Sequence, residues 1–231
     1  MPVAIVTGAS RGLGRALAAG LAARGWDLVL DARRADGLEE SAEAVRALGA
    51  RVVAVPGDVT DPAHRTDLVA AARGLGGLDL LVNNAAVLGA EPLVPLAGHA
   101  LDGFRTALEV NVVAPLGLVQ EALPLLRGAR AGAVVNLSSD AAAEPYRTWG
   151  GYGATKAALD QLSAVLAVEE PGLRVWWVDP GSMRTDMLAA AEPAEDLSGT
   201  PALAEVVPVF LRLVEERPAS GRYAAAAFLE A

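Results

Sequence analysis

The chain has 231 residues, of which 53% are hydrophobic and none is cysteine, and its formal net charge is −9. An acidic exterior repels nucleic acid phosphates and anionic lipids, and the lack of thiols and of a histidine cluster argues against a metal site. We therefore expect no metal, no nucleic acid partner and no membrane partner. The length is typical of a single α/β domain over residues 1–231. With neither a basic leader nor a long apolar run, we expect a cytoplasmic protein.

Short apolar runs alternate with helix-like segments along almost the whole chain. Strands are predicted at 3–6, 28–30, 52–55, 78–82, 133–137 and 174–178, and a last one at 223–228 reads equally well as helix. Helices are predicted near 11–24, 37–48, 62–75, 100–127, 151–169, 185–191 and 201–216. This alternation favours a doubly wound Rossmann fold, with a mostly parallel sheet of about seven strands and helices on both faces.

Several single residues carry local expectations. Pro115 and Pro124 should kink or segment the long central helix, because proline removes a backbone donor. Trp176 and Trp177 are neighbours on a strand and should pack as core on opposite faces of the sheet. His64 and His99 are expected at the surface or in loops. The polar stretch 192–199 should form a mobile loop, part of a substrate loop at about 182–200.

A glycine-rich segment, Gly8-Ala9-Ser10-Arg11-Gly12-Leu13-Gly14, follows the first strand and opens the first helix. Glycine permits a tight turn, so that backbone N–H groups and the helix dipole can meet a pyrophosphate. An ordinary strand-to-helix turn could have the same composition. The position after the first strand of an alternating α/β pattern favours a dinucleotide site.

The end of the second strand should decide which dinucleotide binds. A carboxylate there accepts hydrogen bonds from a free ribose 2′-OH, whereas a guanidinium pairs with a 2′-phosphate. Asp31 favours NAD, while Arg33, Arg34 and the loop residue Arg11 favour NADP. Solvated surface arginines would give the same pattern, so both cofactors stay open and NADP is preferred.

Tyr152 and Lys156 are four residues apart in a helix-like segment, and Ser139 precedes them. Residues at this spacing emerge from one helix face. We expect the lysine ammonium to lower the pKa of the tyrosine towards the range where the phenol exchanges protons.

Together these residues resemble the short-chain dehydrogenase/reductase family over essentially the whole length. Residues 7–14 match its nucleotide loop, Asp58-Val59 its adenine-contacting pair, 83–86 its Asn-Asn-Ala-Gly element with alanine last, and 180–185 its nicotinamide-contacting segment. The family's NAD-selecting aspartate would fall on Ala32, one position after Asp31. The resemblance implies cofactor contacts at Gly8, Ser10, Arg11, Gly12, Leu13, Gly14, Arg33, Asp58, Val59, Asn83, Ala85, Tyr152, Lys156, Pro180, Gly181, Met183 and Thr185.

The same resemblance places Asn111, Ser139, Tyr152 and Lys156 on a catalytic tetrad and implies NADP(H)-dependent hydride transfer between a carbonyl and an alcohol. Tyr152 would exchange the proton, and Ser139 would hold the carbonyl oxygen. Lys156 would hold the ribose hydroxyls, and Asn111 would anchor a water that relays protons. The family also implies a homodimer or homotetramer through the helices near 100–127 and 151–169.

Two other classes of function remain open from the sequence. One is a dinucleotide-binding sensor or scaffold without turnover, which the intact tetrad disfavours. The other is a lyase or epimerase with tightly held cofactor. The identity of the small-molecule substrate, the direction of the reaction and its stereospecificity are set jointly by loops near 86–99, 140–150 and 182–200.

Overall fold

The structure is a computed structural model that describes residues 1–225 and 227. Seven strands form one sheet in the order β3-β2-β1-β4-β5-β6-β7, and every neighbouring pair is parallel. The strands are β1 (Val3–Val6), β2 (Asp27–Ala32), β3 (Val52–Pro56), β4 (Leu80–Asn83), β5 (Ala133–Leu137), β6 (Arg174–Asp179) and β7 (Gly221–Ala224). The predicted parallel Rossmann sheet is confirmed.

The helices are α1 (Gly12–Ala22), α2 (Ala35–Ala47), α3 (Pro62–Leu75), α4 (Leu101–Leu108), α5 (Ala114–Gly128), α6 (Gly150–Glu169), α7 (Asp186–Ala191) and α8 (Leu203–Glu216). Strand residues alternate between two cores. Leu28 and Leu30 of β2 pack with α1, α2 and α8, whereas Val29 packs with α3 and α5 on the opposite face. Burial on both faces explains why the strands read as almost continuous apolar runs.

The sheet topology gathers the predicted motifs at one edge. Parallel strands end on the same side, so the segments that follow β1, β2, β4, β5 and β6 meet at their carboxyl ends. The strand order reverses between β1 and β4, and open α/β sheets bind ligands in the crevice beside such a switch point.

The long central helix is segmented. A π-helical turn, Glu109–Val113, joins α4 to α5, and Pro115 lies in the first turn of α5, where its missing N–H costs little. By contrast, α5 continues through Pro124 to Gly128. Proline therefore marks the break at one of the two predicted positions.

This helical stretch also bears on the membrane expectation. By length and composition alone, Leu101–Gly128 passes as a candidate membrane span, and 33% of its most apolar window is buried. The stretch is nevertheless not an uninterrupted apolar run, because Asp102, Arg105 and Glu109 lie within it. A core helix passes the same test, and α5 buries Leu118 and Leu126 in the core it shares with α3.

Two further sequence expectations need correction. The last strand, Gly221–Ala224, begins before the predicted 223–228, and positions 226 and 228 lie outside the described residues. Trp176 is fully buried in the core, but Trp177 is only half-buried. β6 is the second strand from the edge of the sheet, and its two faces are not equally covered. Trp176 therefore belongs to the core, whereas the indole of Trp177 is partly exposed to solvent.

Replacing Trp176 by alanine should lower the free energy of unfolding by about 3–5 kcal/mol, because a large buried side chain leaves a cavity. The indole N–H also donates to the carbonyl of Pro218 at 3.2 Å. Trp177→Ala, the same change one residue away at a half-buried position, should cost clearly less. Chemical denaturation of the two variants measures the difference, and equal losses would contradict the assignment of Trp176 to the core.

Candidate active site

A cavity of about 840 Å³ opens at the carboxyl ends of the strands. Most of the residues predicted to contact a cofactor line it: Gly8, Ser10, Arg11, Gly12, Leu13, Arg33, Asp58, Val59, Ala85, Tyr152, Lys156, Pro180, Met183 and Thr185. Gly14, Asn83 and Gly181 are not among the lining residues, and neither are Asn111 and Ser139.

The glycine loop requires its glycines for two different reasons. Gly8 and Gly12 have φ angles of +65° and +57°, a left-handed conformation that glycine adopts without strain. Gly14 is needed for close packing, because a Cβ there would lie 2.4 Å from the carbonyl oxygen of Gly8. Gly14 therefore supports the loop from behind instead of lining the cavity.

The two asparagines after β4 have separate roles. Asn84 lines the cavity, and its side-chain amide donates to the carbonyl of Thr7 at 2.8 Å, which holds the glycine loop. Asn83 is buried and donates to Asn136 Oδ1 at 2.8 Å, on the neighbouring strand. The sequence analysis did not assign Asn84 to the site, although Asn84 lies next to Asn83 in the matched element at 83–86.

Tyr152 and Lys156 lie one turn apart on α6 and line the same cavity, which confirms their predicted common face. Their exposures are only 7% and 2%. Lys156 Nζ donates to the carbonyl oxygen of Leu137 at 2.7 Å and lies 5.5 Å from the centroid of the Tyr152 ring. The backbone at the end of β5 thus accepts one of the three N–H donors of the buried ammonium.

The predicted lowering of the tyrosine pKa is wrong for the protein without a ligand. Burial raises the pKa of Tyr152 far above its ordinary value, and the carboxylates of Asp140 and Asp179 add to this effect. Burial lowers the pKa of Lys156 to about 8, partly offset by the carboxylate of Asp160. Desolvation penalises the charged form of each group. Burial therefore favours a neutral phenol and, at the same time, a neutral amine.

Ser139 lies at the turn between β5 and α6. Its hydroxyl donates to Asp140 Oδ1 at 3.0 Å and accepts from the backbone N–H of Ala141 at 3.2 Å. The start of α6 packs directly on this turn, because a Cβ on Gly153 would lie 2.4 Å from the carbonyl oxygen of Ala141. The absence of a side chain at Gly153 lets the serine turn approach the helix that carries Tyr152.

Asn111 is fully buried in the π-helical turn. Its side chain exchanges two hydrogen bonds of 2.9 Å with the backbone N–H and carbonyl of Val87. It also donates to Thr155 Oγ1 at 2.9 Å, one residue before Lys156. Asn111 therefore ties the segment after β4 to α6, and π-helical turns of this kind frequently occur at functional sites.

An apolar wall lies beside the tyrosine. Leu88, Leu93 and Ala191 are buried in one cluster with Tyr152, and Trp149 contacts its ring edge-on with centroids 5.7 Å apart. The Trp149 indole N–H donates to Glu192 Oε1 at 3.1 Å, which joins this wall to the segment after α7.

The opposite end of the cavity carries arginines. Arg33 and Arg34 are exposed and line the cavity, and neither forms an ion pair with any other described residue. Arg11 pairs with Asp186 at 2.9 Å, but both side chains are exposed, so this pair adds little stability.

Asp31 and His64 lie under this arginine-lined end. His64 is 7% exposed and its Nε2 lies 2.6 Å from Asp31 Oδ1, so the predicted surface position is wrong. His99 does lie in a loop, directly before α4, as predicted. The His64 contact joins residues 33 positions apart, and such long-range pairing leaves no local pattern in the sequence.

Comparison with known proteins agrees with this architecture. A family model described as short chain dehydrogenase matches residues 2–196. The chain is 33% identical to an uncharacterized oxidoreductase of Staphylococcus epidermidis, over 84% of this chain and 83% of that protein. A short chain dehydrogenase from Shigella flexneri, solved in complex with NADP, superposes with a TM-score of 0.91 at 29% identity, covering 97% of both chains.

Another match is partial: glycine betaine reductase of Emericella nidulans is 36% identical over 89% of this chain, which spans only 16% of that longer protein. The fold and the site define an α/β oxidoreductase. The chain belongs to the short-chain dehydrogenase/reductase family, whose members act on CH–OH and C=O groups.

Lys156 is the only lysine in the chain, which makes its pKa directly measurable. Protein labelled isotopically at lysine Cε should give one side-chain NMR signal that titrates with a midpoint at about 8, because burial disfavours the ammonium. Asp160→Asn should lower the midpoint further, since the carboxylate favours the charged form. A midpoint near the ordinary value of 10.5 would contradict the desolvated site.

Proposed function

We propose that this protein is an NADP(H)-dependent oxidoreductase that transfers a hydride between the cofactor and a small or medium carbonyl or alcohol substrate. One observation carries the proposal: the buried Tyr152–Lys156 pair and the left-handed glycine loop line one cavity of about 840 Å³. Such a volume is ordinary for a ligand pocket, which typically measures about 300–1,000 Å³.

The residues present fit a dinucleotide. At Gly8 a Cβ would meet Ala85 Cα at 3.0 Å, so the absence of a side chain lets the glycine loop pack against the segment after β4. The loop lines the cavity with no side chain at Gly8 or Gly12, which suits a pyrophosphate at its backbone. The glycine loop would hold the pyrophosphate, and Asp58 with Val59 would contact the adenine. Lys156 would hold the ribose hydroxyls. The segment 180–185 would contact the nicotinamide.

We assign the 2′-phosphate of NADP to Arg33, assisted by Arg34 and Arg11. Arg33 and Arg34 are exposed at the cavity wall without an ion-pair partner among the described residues, so their guanidinium groups are available to a phosphate. The Shigella flexneri relative solved with NADP supports this choice.

When bound, NADP(H) supplies or accepts the hydride. Tyr152 would deliver its phenolic proton to the oxygen of the reduced carbonyl, and Ser139 Oγ would donate a hydrogen bond to the same oxygen. For this, the Ser139 proton must turn away from Asp140. Lys156 Nζ would return a proton to the phenolate, and a water anchored at Asn111 would pass protons between the lysine and solvent. Burial keeps Tyr152 protonated before the reaction, and this is the form that an acid in the reduction requires.

The apolar wall beside Tyr152 favours a substrate that carries a hydrocarbon group next to the reacting carbon. Leu88, Leu93 and Trp149 lie beside Tyr152, and Met187 lines the cavity itself.

The segment 182–200, which includes α7, would serve as the substrate loop within one domain of residues 1–231. The cytoplasmic location remains a prediction from the sequence.

We also propose a homodimer or homotetramer. Large apolar side chains are exposed on α4, the π-helical turn, α5 and α6, namely Leu101, Val113, Leu116, Val165 and Val168. Exposed apolar side chains mark an interaction surface where they form a contiguous patch. Because each copy would present the same helices, a symmetric contact would cover them.

Tyr152→Phe should abolish most turnover, since a positioned acid contributes roughly 10²–10⁴-fold to the rate, and should leave NADPH binding intact. A spectrophotometric screen of carbonyl compounds with NADPH identifies a substrate for the comparison. Tyr223→Phe is the matched control, because that hydroxyl donates to the carbonyl of Ala219, outside the cavity. Parental turnover in Tyr152→Phe would disprove the catalytic role.

Arg33→Ala should raise the dissociation constant of NADPH by about tenfold or more, because hydrogen bonds to charged groups contribute roughly 1.5–3 kcal/mol. Binding of NADH should change little. Arg73→Ala, at an exposed arginine in the last turn of α3, is the control for net charge. Titration of cofactor fluorescence measures all six constants, for NADPH and NADH with the parent and both variants. The same loss for both cofactors would contradict the assignment of Arg33 to the 2′-phosphate.

A further inference from the structure

A buried acid–base pair, Asp31 with His64, lies under the arginine-lined end of the cavity. His64 Nε2 is 2.6 Å from Asp31 Oδ1, and the two side chains are only 7% and 2% exposed. The other carboxylate oxygen of Asp31 lies 3.4 Å from the backbone nitrogen of Gly8, in the glycine loop. Asp31 therefore connects the phosphate loop to α3 through His64.

The local sequence makes room for this contact. Pro62 begins α3, the side chain of Asp61 caps it by accepting from the N–H of Ala63, and His64 lies in the first turn. The imidazole then crosses over Gly57, just after β3, where a Cβ would lie 2.2 Å from His64 Nδ1. Any residue other than glycine at this position would force the imidazole away from Asp31.

Pairing with His64 changes the charge that Asp31 contributes to the cavity. Asp31 lines the same cavity as Arg33 and Arg34, and an unpaired carboxylate there would repel a phosphate and attract the guanidinium groups. The hydrogen bond from the imidazole to the carboxylate of Asp31 raises the pKa of His64, which favours the protonated ring. When the ring is protonated, its positive charge cancels the negative charge of Asp31, so the pair carries no net charge.

The pair also uses the oxygens that would recognise NAD. An NAD-selecting carboxylate accepts hydrogen bonds from the free ribose 2′-OH. Here one Asp31 oxygen contacts His64 and the other faces the Gly8 N–H. Each oxygen of the carboxylate that favoured NAD in the sequence thus already lies beside a protein donor.

We propose that His64 is a specificity-determining residue, which selects NADP(H) over NAD(H) by neutralising Asp31 and occupying its carboxylate under the arginine-lined end of the cavity. This inference rests on the proposed NADP(H)-dependent function. It assigns the choice of cofactor to a residue that belongs to α3 and is not part of the glycine loop or of the segment after β2.

The test measures binding and not turnover. Dissociation constants of NADPH and NADH are determined near neutral pH for the parent, His64→Gln, Asp31→Asn and the double variant. Glutamine retains a hydrogen-bond donor at the position of Nε2 but cannot carry the positive charge. His99→Gln, at the only other histidine, is the matched control, and thermal unfolding monitors folding of each variant.

In His64→Gln, we expect NADPH to bind about tenfold more weakly and NADH to bind almost as before, the size expected for one uncompensated charge in a partly screened site. The double variant should regain parental affinity for NADPH, because no carboxylate is left to neutralise. A purely structural role for His64 would weaken both cofactors equally and would not be rescued by Asp31→Asn.

Three results would overturn the inference. If the parent prefers NADPH and His64→Gln retains that preference, the role of His64 is wrong while the proposed cofactor stands. If the double variant is not rescued, the neutralisation of Asp31 is wrong. If the parent binds NADH as tightly as NADPH, the cofactor assignment and the inference fail together. Failure of Tyr152→Phe to lose turnover concerns the catalytic proposal alone.

Discussion

The site depends on one hydrogen bond, from Lys156 Nζ to the carbonyl oxygen of Leu137 at the end of β5. A buried ammonium is costly unless its donors are satisfied, so this bond fixes how α6 lies against the sheet. Tyr152, one turn earlier on the same face, is then directed into the cavity. The approach is possible because Gly153 carries no side chain where α6 crosses the carbonyl of Ala141.

The same burial organises the proton chemistry of the pair. Desolvation moves the pKa of Tyr152 upward and that of Lys156 down to about 8, so both groups resist charge. Asp140 and Asp179 oppose the phenolate, whereas Asp160 supports the ammonium. The tyrosine therefore holds its proton firmly, and the lysine pKa lies near the neutral range. A lysine so placed can give and regain a proton more readily than an exposed one.

The sequence predicted those features that rest on local spacing. The common face of Tyr152 and Lys156 follows from helical periodicity, and the glycine loop follows from its position after an apolar strand. The pKa of Tyr152 was predicted in the wrong direction, because spacing reveals the neighbouring cation but not the depth of burial. His64 was assigned to the surface because its partner Asp31 is distant in the chain, and only the fold brings β2 and α3 together. The family resemblance implied a cofactor contact at Asn83, yet its side chain bonds to Asn136 on the neighbouring strand.

The distribution of charge within the cavity matters more than the net charge of the chain. A formal charge of −9 disfavours extended polyanions, whose phosphates must lie along the exterior. A small phosphorylated ligand meets only the cleft, where Arg11, Arg33 and Arg34 lie at one end of the lining. Free carboxylates in the lining compete with a phosphate for these guanidinium groups, as Asp186 does for Arg11 and Asp58 does for Arg33. Asp31 is the buried carboxylate of the lining, and its contact with His64 removes its share of that competition. An acidic protein can in this way retain a site for a polyanionic cofactor.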